Sequence, residues 1–177
     1  MTTFQIIAFI AFTILILWFS WRISLKEKRY HGIPRFFAFE GLMCLGLIQS
    51  EIWFVEPVST MQIISWILFC LSLIYVVGAF RLYFRHTKMD MDFENSKKLV
   101  TTGLYKYVRH PMYASLLFLG WGMFFKNIDP LTITLVCIIS ISLIITCKVE
   151  EQEMITRFGE EYRAYIKQTK MWIPKVI

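Results

Sequence analysis

Long apolar runs alternate with short polar and charged stretches along this chain. Five runs stand out: Phe4–Trp21, Phe36–Val55, Met61–Phe80, Pro111–Phe125 and Leu131–Cys147. A helix needs roughly 20 residues to cross a bilayer, and about 17 is near the lower limit, so the last two runs, of about 15 and 17 residues, are short. This short pair predicts a tight hairpin turned by residues 126–130. The pattern therefore predicts an all-α integral membrane protein with five transmembrane helices.

Positive charge is concentrated in two of the polar stretches. Residues 22–35 carry five Lys or Arg and residues 81–110 carry seven, whereas the connection between the second and third runs has none and the hairpin turn has only Lys126. Loops rich in Lys and Arg stay in the cytoplasm. We therefore expect a multi-pass protein with its N-terminus outside and its C-terminus in the cytoplasm. No positive charge precedes the first run, so we interpret it as a span and not as a secretory signal.

The residues after the fifth run form a charged tail. Its apolar positions recur at spacings of three, four and seven, which predicts an amphipathic helix over 148–168, interrupted at Gly159 and packed under the bundle at the cytoplasmic surface. We expect a single membrane domain over 1–177. Its parts are a three-helix N-terminal part, 1–80, and a second part, 81–177, which holds a cofactor-binding loop, the hairpin and the C-terminal helix.

Composition agrees with a membrane protein and narrows its partners. The chain is 56% hydrophobic and 18% charged, with a mean hydropathy of +0.54, whereas a soluble domain carries about 25% charged residues. The net charge of +6 comes from residues beside apolar runs. There they orient helices and meet lipid headgroups, so we expect membrane lipids and no nucleic acid as partners. The four cysteines lie inside apolar runs without metal-type spacing, so no metal site is expected.

The residues that could carry chemistry lie in two polar blocks. The first, 97–113, reads Lys-Lys-Leu-Val-Thr-Thr-Gly-Leu-Tyr-Lys-Tyr-Val-Arg-His-Pro-Met-Tyr and places His110 at the start of a helix that Pro111 opens. The second begins with Glu150 and Glu151, where the fifth run ends. Because the hairpin is short, we expect its ends to meet and His110 to share a pocket with Glu150. Such a pocket offers donors for a carboxylate, carboxylates for an ammonium or hydroxyls, and aromatic faces for a cation.

Together the two blocks resemble the isoprenylcysteine carboxyl methyltransferase family and the related phospholipid methyltransferases. The shared elements are Leu-Val-Thr-x-Gly-x-Tyr-x-x-x-Arg-His-Pro-x-Tyr, then Glu-Glu-x-x-x-x-x-x-Phe-Gly-x-x-Tyr-x-x-Tyr and a terminal Ile-Pro, over roughly residues 95–174. Five spans resemble the smaller prokaryotic members, which implies a prokaryotic cell membrane. The resemblance implies an S-adenosylmethionine-dependent methyltransferase.

The resemblance also implies a set of cofactor-binding residues: Lys97, Lys98, Leu99, Val100, Tyr105, His110, Pro111, Met112, Tyr113, Glu150 and Glu151. The first four would hold the cofactor partly through the backbone, residues 110–113 would cradle it, and the acidic pair would close the pocket. Glu150, Glu151 and Arg157 are the candidate catalytic residues, with no base assigned.

One departure from the family pattern leaves the methyl acceptor open. Eukaryotic prenylcysteine enzymes carry an arginine about four residues before the acidic pair, near the substrate carboxylate, where this chain has Thr146. Lys148 is a weaker substitute because an ammonium does not reproduce a bidentate guanidinium.

We therefore expect a methyltransferase similar to the isoprenylcysteine enzymes, acting on a lipophilic or membrane-embedded substrate that enters sideways from the bilayer. Two alternatives stay open. Membrane reductases of the steroid-reductase type, which use NADPH, share an Arg-His-Pro-x-Tyr run, although Ala114-Ser115 follows here and not their Gly-Glu. A non-catalytic membrane subunit could also retain the pocket. The oligomeric state is left open.

Three further ionisable residues have simpler interpretations. Glu40 lies inside the second run, about one helical turn from Arg35. It is either a functional intramembrane carboxylate or one that extends to cytoplasmic water. His31 and His86 lie in basic stretches and are expected to be solvated.

Overall fold

The computed structural model describes residues 2–53, 59–86 and 99–176, with side chains for all of these except 83–86. Within these ranges the chain forms six α-helices and no β-strand. The helices are α1 (Thr3–Ile23), α2 (Gly32–Gln49), α3 (Thr60–His86), α4 (Pro111–Phe124), α5 (Pro130–Phe158) and α6 (Glu160–Gln168), with 3₁₀ turns at Leu25–Glu27 and Gly103–Lys106. The prediction of an all-α fold is therefore confirmed.

The two helices of the hairpin start where their sequences supply capping chemistry. Asp129 and Thr132 form a capping box at the start of α5, where the Asp129 side chain accepts from backbone N–H groups. Pro111 opens α4, and its missing N–H is not needed in the first turn. The starts of α4 and α5 therefore define the two ends of the hairpin.

The long helices run between the same two ends of the bundle. We call the end with the α4–α5 turn, residues 125–129, the hairpin end, and the end with Glu150 and Glu151 the acidic end. Glu150 follows Pro130 by 20 positions in α5, so these ends are about 30 Å apart at 1.5 Å per residue.

Contacts at both ends show that α2 runs along the apolar length of α5. At the hairpin end, Gln49 Nε2 donates to the Asn127 carbonyl at 3.3 Å. At the acidic end, His31 Nδ1 lies 2.6 Å from Glu153 Oε2. The two residues that bracket α2 therefore touch opposite ends of the hairpin.

α1 and α3 run between the same ends. At the hairpin end, Lys126 Nζ donates to Gln62 Oε1 of α3 at 2.6 Å, and Gln5 Nε2 of α1 donates to the Leu47 carbonyl of α2 at 3.0 Å. At the acidic end, α3 packs on the 3₁₀ turn Gly103–Lys106. α3 packs on α4 and α2 packs on α5, whereas α1 packs on α2.

The core lies between α2, α4 and α5. Its buried residues are Ala38, Leu42, Leu45, Ala114, Met123, Ile139, Leu143, Cys147 and Trp172. Glycine permits close approach of these helices, since a Cβ added at Gly41 would lie 2.8 Å from Ile139 Cγ1. Small residues at helix interfaces are typical of membrane bundles.

Three helical segments of the described chain are long and apolar enough to cross a membrane: Thr3–Glu27, Thr60–Leu82 and Pro130–Phe158. α4 is apolar but has only 14 residues, and α2 carries Arg35 and Glu40. Three candidate spans are therefore found, and the count of five crossings stays a prediction. α2 also ends at Gln49, before the end of the predicted second run, whose residues 54–55 lie outside the described ranges.

The charged tail is not a separate helix as predicted. α5 continues through the first half of the tail to Phe158 and ends at Gly159, whose φ of 57° and ψ of −129° suit glycine. α6 follows directly. The predicted amphipathic helix over 148–168 is therefore divided between α5 and α6.

Two ionisable residues are less solvated than their sequence context indicates. His31 is 2% exposed because it pairs with Glu153, so its predicted solvation was wrong. Glu40 makes a contact inside the bundle, where its Oε2 accepts a hydrogen bond from Thr13 Oγ1 of α1 at 2.8 Å. The side chain of His86 lies outside the described residues.

Candidate active site

His110 lies at the acidic end, where the start of α4 meets α5. It precedes α4 with φ −124° and ψ 60°, and it is 6% exposed. Its backbone N–H donates to the Met171 carbonyl at 3.1 Å, and Val108 forms a short parallel bridge with Lys170. The C-terminal segment therefore holds the residues before α4 in place.

The His110 ring reaches both acidic residues. Its Nδ1 lies 3.8 Å from Glu150 Oε2, and its Nε2 lies 3.3 Å from Glu151 Oε1. The three side chains are 5%, 22% and 14% exposed, respectively, so bulk water reaches them poorly. The structure thus brings together the start of α4 and the charged exit of α5, as the short hairpin predicts.

Arg109 fixes the second of these carboxylates. Its Nε donates to Glu151 Oε1 at 2.7 Å, and its Nη1 donates to the carbonyls of Ile166 at 3.3 Å and Thr169 at 2.5 Å. One guanidinium therefore ties α5 to the end of α6.

The two carboxylates differ in electrostatic environment. Burial opposes ionisation of Glu151, but hydrogen bonds from His110 and Arg109 and the nearby Arg109 charge outweigh it, so the pKa of Glu151 lies below its ordinary value. Glu150 Oε2 is buried and has no hydrogen-bond partner among the residues that the structure describes. Glu151 is thus a fixed anion, whereas Glu150 keeps acceptor capacity for a ligand.

Two tyrosines adjoin this cluster. The Tyr113 ring centroid lies 5.7 Å from that of His110, and the Arg35 guanidinium of α2 lies close to the Tyr113 side chain. Burial, and then the charge of Glu150, raise the pKa of Tyr105 well above its ordinary value. The Tyr105 phenol therefore remains protonated and can donate a hydrogen bond.

Comparison with known proteins identifies the family. A sequence profile described as phospholipid methyltransferase matches residues 60–161, from the start of α3 to the start of α6. The chain belongs to the phospholipid methyltransferase family. All predicted site residues fall inside the matched range, whereas α1 and α2 precede it.

Three relatives of this family member are methanethiol S-methyltransferases. The protein from Crocosphaera subtropica is 25% identical over 172 residues, 95% of this chain and 59% of the relative. That from Pseudomonas deceptionensis is 30% identical over 140 residues, 73% of this chain and 52% of the relative. Methanethiol S-methyltransferase 1 from Bradyrhizobium diazoefficiens is 28% identical over 136 residues, 72% of this chain and 47% of the relative. The chain thus spans about half the length of these relatives. No solved structure matches it.

Membership in the phospholipid methyltransferase family argues against the reductase alternative. The same residues that resemble a reductase motif lie within the matched range, and Ala114-Ser115 already departed from the reductase pattern. Family membership therefore favours methyl transfer over reduction at this site.

The remaining predicted cofactor residues are placed unevenly. Pro111 is fully buried, and Met112 is partly buried, with its carbonyl accepting from Ser115 Oγ at 2.6 Å. Leu99 and Val100 are partly buried at the start of a described range. Lys97 and Lys98 lie outside the described residues.

Arg157 is not grouped with the acidic pair. It is exposed, its guanidinium lies 5.2 Å from the Phe158 ring centroid, and it follows Glu151 by six residues, about 9 Å along the helix. Of the three candidate catalytic residues, Arg157 is therefore the one that the geometry supports least.

Thr146, which stands where the eukaryotic prenylcysteine enzymes carry an arginine, has a structural role in this family member. Thr146 is fully buried and donates to the Ser142 carbonyl at 2.7 Å, while Lys148 is exposed. A buried guanidinium approaches the site from another element, because Arg35 of α2 is 8% exposed and lies close to Tyr113.

Sequence reasoning missed three basic residues near the site. Arg109 was part of the Arg-His-Pro motif, and that position beside His110 was its signal. His31 and Arg35 are four residues apart at the start of α2, a spacing that places both on one helical face. The second signal is weak because nothing local indicates which helix that face meets.

The side chains at the acidic end fit S-adenosylmethionine chemically. The buried Glu150 oxygen, which lacks a hydrogen-bond partner among the described residues, can accept a hydrogen bond from an ammonium or a ribose hydroxyl. The first turn of α4 has backbone N–H groups that suit a carboxylate. The Tyr113 ring, next to His110, provides an aromatic face for a cation.

Proposed function

We propose that this chain is an S-adenosylmethionine-dependent membrane methyltransferase acting on a small or lipophilic acceptor that enters from the bilayer. One observation carries the proposal: His110 lies between Glu150 and Glu151, with Glu150 Oε2 buried and unpartnered among the described residues. A buried carboxylate oxygen without a hydrogen bond is costly, and a ligand that donates to it removes that cost.

Each wall of the pocket has one task in this proposal. Glu150 accepts hydrogen bonds from the cofactor, and residues 110–113 cradle it at the start of α4. Residues 97–100 hold it partly through the backbone. S-adenosylmethionine supplies an already activated methyl group, so the protein contributes mainly by orienting the acceptor. Arg109 keeps Glu151 in place and so preserves the charge balance of the pocket.

We infer that a thiol is the acceptor to test first. The support is the name shared by three relatives, methanethiol S-methyltransferase. A thiol gives up its proton before its sulfur bonds the methyl carbon, and this proton passes to solvent, because Glu150 is already engaged by the cofactor in this proposal. A prenylcysteine carboxylate, the acceptor of the isoprenylcysteine enzymes, ranks lower because Thr146 replaces the expected arginine.

We also propose five crossings of a prokaryotic cell membrane, with the N-terminus outside and the acidic end in the cytoplasm. The support is that α2 and α4 run between the same ends of the bundle as α5. The cofactor then arrives from the cytoplasm, and the acceptor arrives sideways between helices.

Titration calorimetry of the full chain in detergent tests the cofactor. S-adenosylmethionine and S-adenosylhomocysteine should bind and NADPH should not. His110→Ala and Glu150→Ala should each abolish binding while the protein still purifies as a folded bundle. Tyr107→Phe, at an exposed position, serves as the matched control. Wild-type affinity in both site variants would refute this site.

A tritiated-methyl assay in vesicles identifies the acceptor. Ethanethiol, a prenylcysteine and phosphatidylethanolamine are offered separately to the full chain. Label should appear in the thioether product. Label only in the phospholipid amine, or only in the prenylcysteine ester, would contradict the thiol and assign the other acceptor.

A further inference from the structure

A second polar cluster joins the start of α2 to both walls of the site. His31 and Arg35 are one helical turn apart, and the Arg35 N–H donates to the His31 carbonyl at 3.2 Å. The two residues are 2% and 8% exposed. Basic side chains this buried are stable only when their partners are well placed.

His31 holds the acidic turn of α5. Its Nδ1 lies 2.6 Å from Glu153 Oε2, and its backbone N–H donates to Glu153 Oε1 at 3.4 Å, so the carboxylate is held at both oxygens. Glu153 follows Glu150 by three residues and therefore lies on the same face of α5. Fixing Glu153 sets the rotation with which that face presents Glu150 to the pocket.

Arg35 holds the wall formed by α4. Its guanidinium lies close to the Tyr113 side chain, and its Nη2 donates to Ser24 Oγ at 2.6 Å. Its guanidinium also lies 5.8 Å from the Phe19 ring centroid. Because Tyr113 packs beside His110, the connection between α1 and α2 fixes, through Arg35, an aromatic wall of the pocket.

We propose that His31 and Arg35 are positioning residues of the cofactor site. His31 orients the acidic turn of α5 through Glu153, and Arg35 holds Tyr113 against His110. This inference rests on the proposed function. It makes α2, which precedes the range matched by the family profile, a third wall of the site.

A double-mutant cycle tests Arg35, with the dissociation constant of S-adenosylhomocysteine as the readout. Arg35→Gln and Tyr113→Phe should each weaken binding roughly tenfold, because each disturbs the contact between the guanidinium and the phenol. Because both remove the same contact, the double variant should bind about as weakly as the weaker single variant. Arg35→Lys should recover part of the affinity. Arg22→Gln, an exposed basic residue in the last turn of α1, should bind like wild type.

The same cycle applies to His31. His31→Phe and Glu153→Ala should each weaken binding, and together they should weaken it no further. Glu153→Gln keeps an oxygen for the His31 contact and should bind more tightly than Glu153→Ala. Gln152→Ala, at the exposed neighbouring position, is the control.

The outcomes separate the two proposals. If wild type does not bind S-adenosylhomocysteine, the proposed function fails. If wild type binds and the His31 and Arg35 variants bind equally well, or if their effects simply add to those of Glu153 and Tyr113, the positioning roles alone fail. Should Arg35→Gln not fold, Arg35→Lys completes the cycle with Tyr113→Phe. A lowered melting temperature with unchanged affinity also overturns the inference.

Discussion

Two adjacent carboxylates at the acidic end have different environments because an α-helix turns by about 100° per residue. Glu151 faces Arg109 and the Nε2 side of His110, both of which contact its Oε1. Glu150 faces the Nδ1 side at 3.8 Å and keeps a buried, unpartnered oxygen within the described chain. Glu150 is therefore the carboxylate better suited to ligand binding, and Glu151 is the one better suited to stabilising the fold.

The Glu151 environment predicts a pH dependence of stability. Its folded pKa lies below the ordinary 4.5, so the folded state binds fewer protons than the unfolded state near that pH. The stabilisation is complete above the ordinary value and is lost as pH falls through the lower folded value. The melting temperature in detergent, followed by tryptophan fluorescence, should therefore decrease between about pH 5 and pH 3.

The Glu151→Gln variant tests that assignment. It should melt lower than wild type at neutral pH, because Arg109 is left without its anion, and it should show a smaller decrease below pH 5. Glu160→Gln changes an exposed carboxylate, 92% accessible, and should follow the wild-type curve. Parallel curves for wild type and Glu151→Gln would contradict the assignment.

At the scale of residues, local sequence signals predicted that His110 meets the acidic pair, but not what His31 and Arg35 contact. Pro111 fixes where α4 begins and the short hairpin fixes what it faces, so the meeting of His110 with the acidic pair follows from sequence. The contacts of His31 with Glu153 and of Arg35 with Tyr113 do not, because Glu153 and Tyr113 are on α5 and α4, more than seventy residues later in the chain. Only tertiary packing decides which helix the face of α2 meets.

At the scale of elements, α3 and α4 pack through small residues and buried hydroxyls. Ser65 Oγ donates to the Gly122 carbonyl at 2.7 Å, and Ser72 Oγ donates to the Ser115 carbonyl at 2.8 Å. Apolar solvent gives little hydrophobic driving force between helices, so association depends on such close packing and hydrogen bonds.

Gly122 is the position where this packing is tightest. An added Cβ would lie 2.6 Å from two Phe69 ring carbons, and Phe69 itself stacks on Trp53 at 5.4 Å. Gly122→Ala should therefore lower the free energy of unfolding by about 1–3 kcal/mol, as overpacking does. Gly46→Ala is the control, since its Cβ would meet only Met123 Sδ at 3.6 Å. Equal melting temperatures for the two variants would contradict this account of the α3–α4 contact.

The elements themselves were predicted better than their ends. Each of the five apolar runs contains a helix, because its composition favours one in a bilayer. The continuation of the fifth helix past Cys147 to the predicted interruption was not foreseen, because the change from apolar to charged residues after Cys147 changes the surroundings of a helix without breaking it. The break comes at Gly159, where the backbone has a positive φ.

At the scale of the molecule, the contacts at the two ends constrain how the chain can lie in a membrane. Pro130 and Glu150 are about 30 Å apart along α5, which matches the hydrocarbon thickness of a bilayer. His110 lies beside Glu151 at one end, and the Gln49 side chain bonds Asn127 at the other. If α5 crosses the bilayer, α4 and α2 cross with it, although α2 is less apolar and α4 is shorter than the three long candidate spans.

A count of three crossings and a count of five make opposite predictions for two connections. With α1, α3 and α5 as the only spans, Ser59 would be cytoplasmic and Lys106 outside. With five spans and positive charge inside, Ser59 is outside and Lys106 is cytoplasmic. Both are exposed in the structure, as are Asn127 and Gln168, whose sides are the same under either count.

Cysteine accessibility in intact cells distinguishes the two counts. Ser59→Cys and Asn127→Cys should react with a charged, impermeant maleimide, whereas Lys106→Cys and Gln168→Cys should react only after lysis. The parent chain, with its four native cysteines, gives the background. Labelling of Lys106→Cys but not Ser59→Cys in intact cells would leave three crossings. The pocket at His110 would then open to the outside, away from a cytoplasmic supply of S-adenosylmethionine, so this experiment also tests whether the proposed chemistry can take place where the site lies.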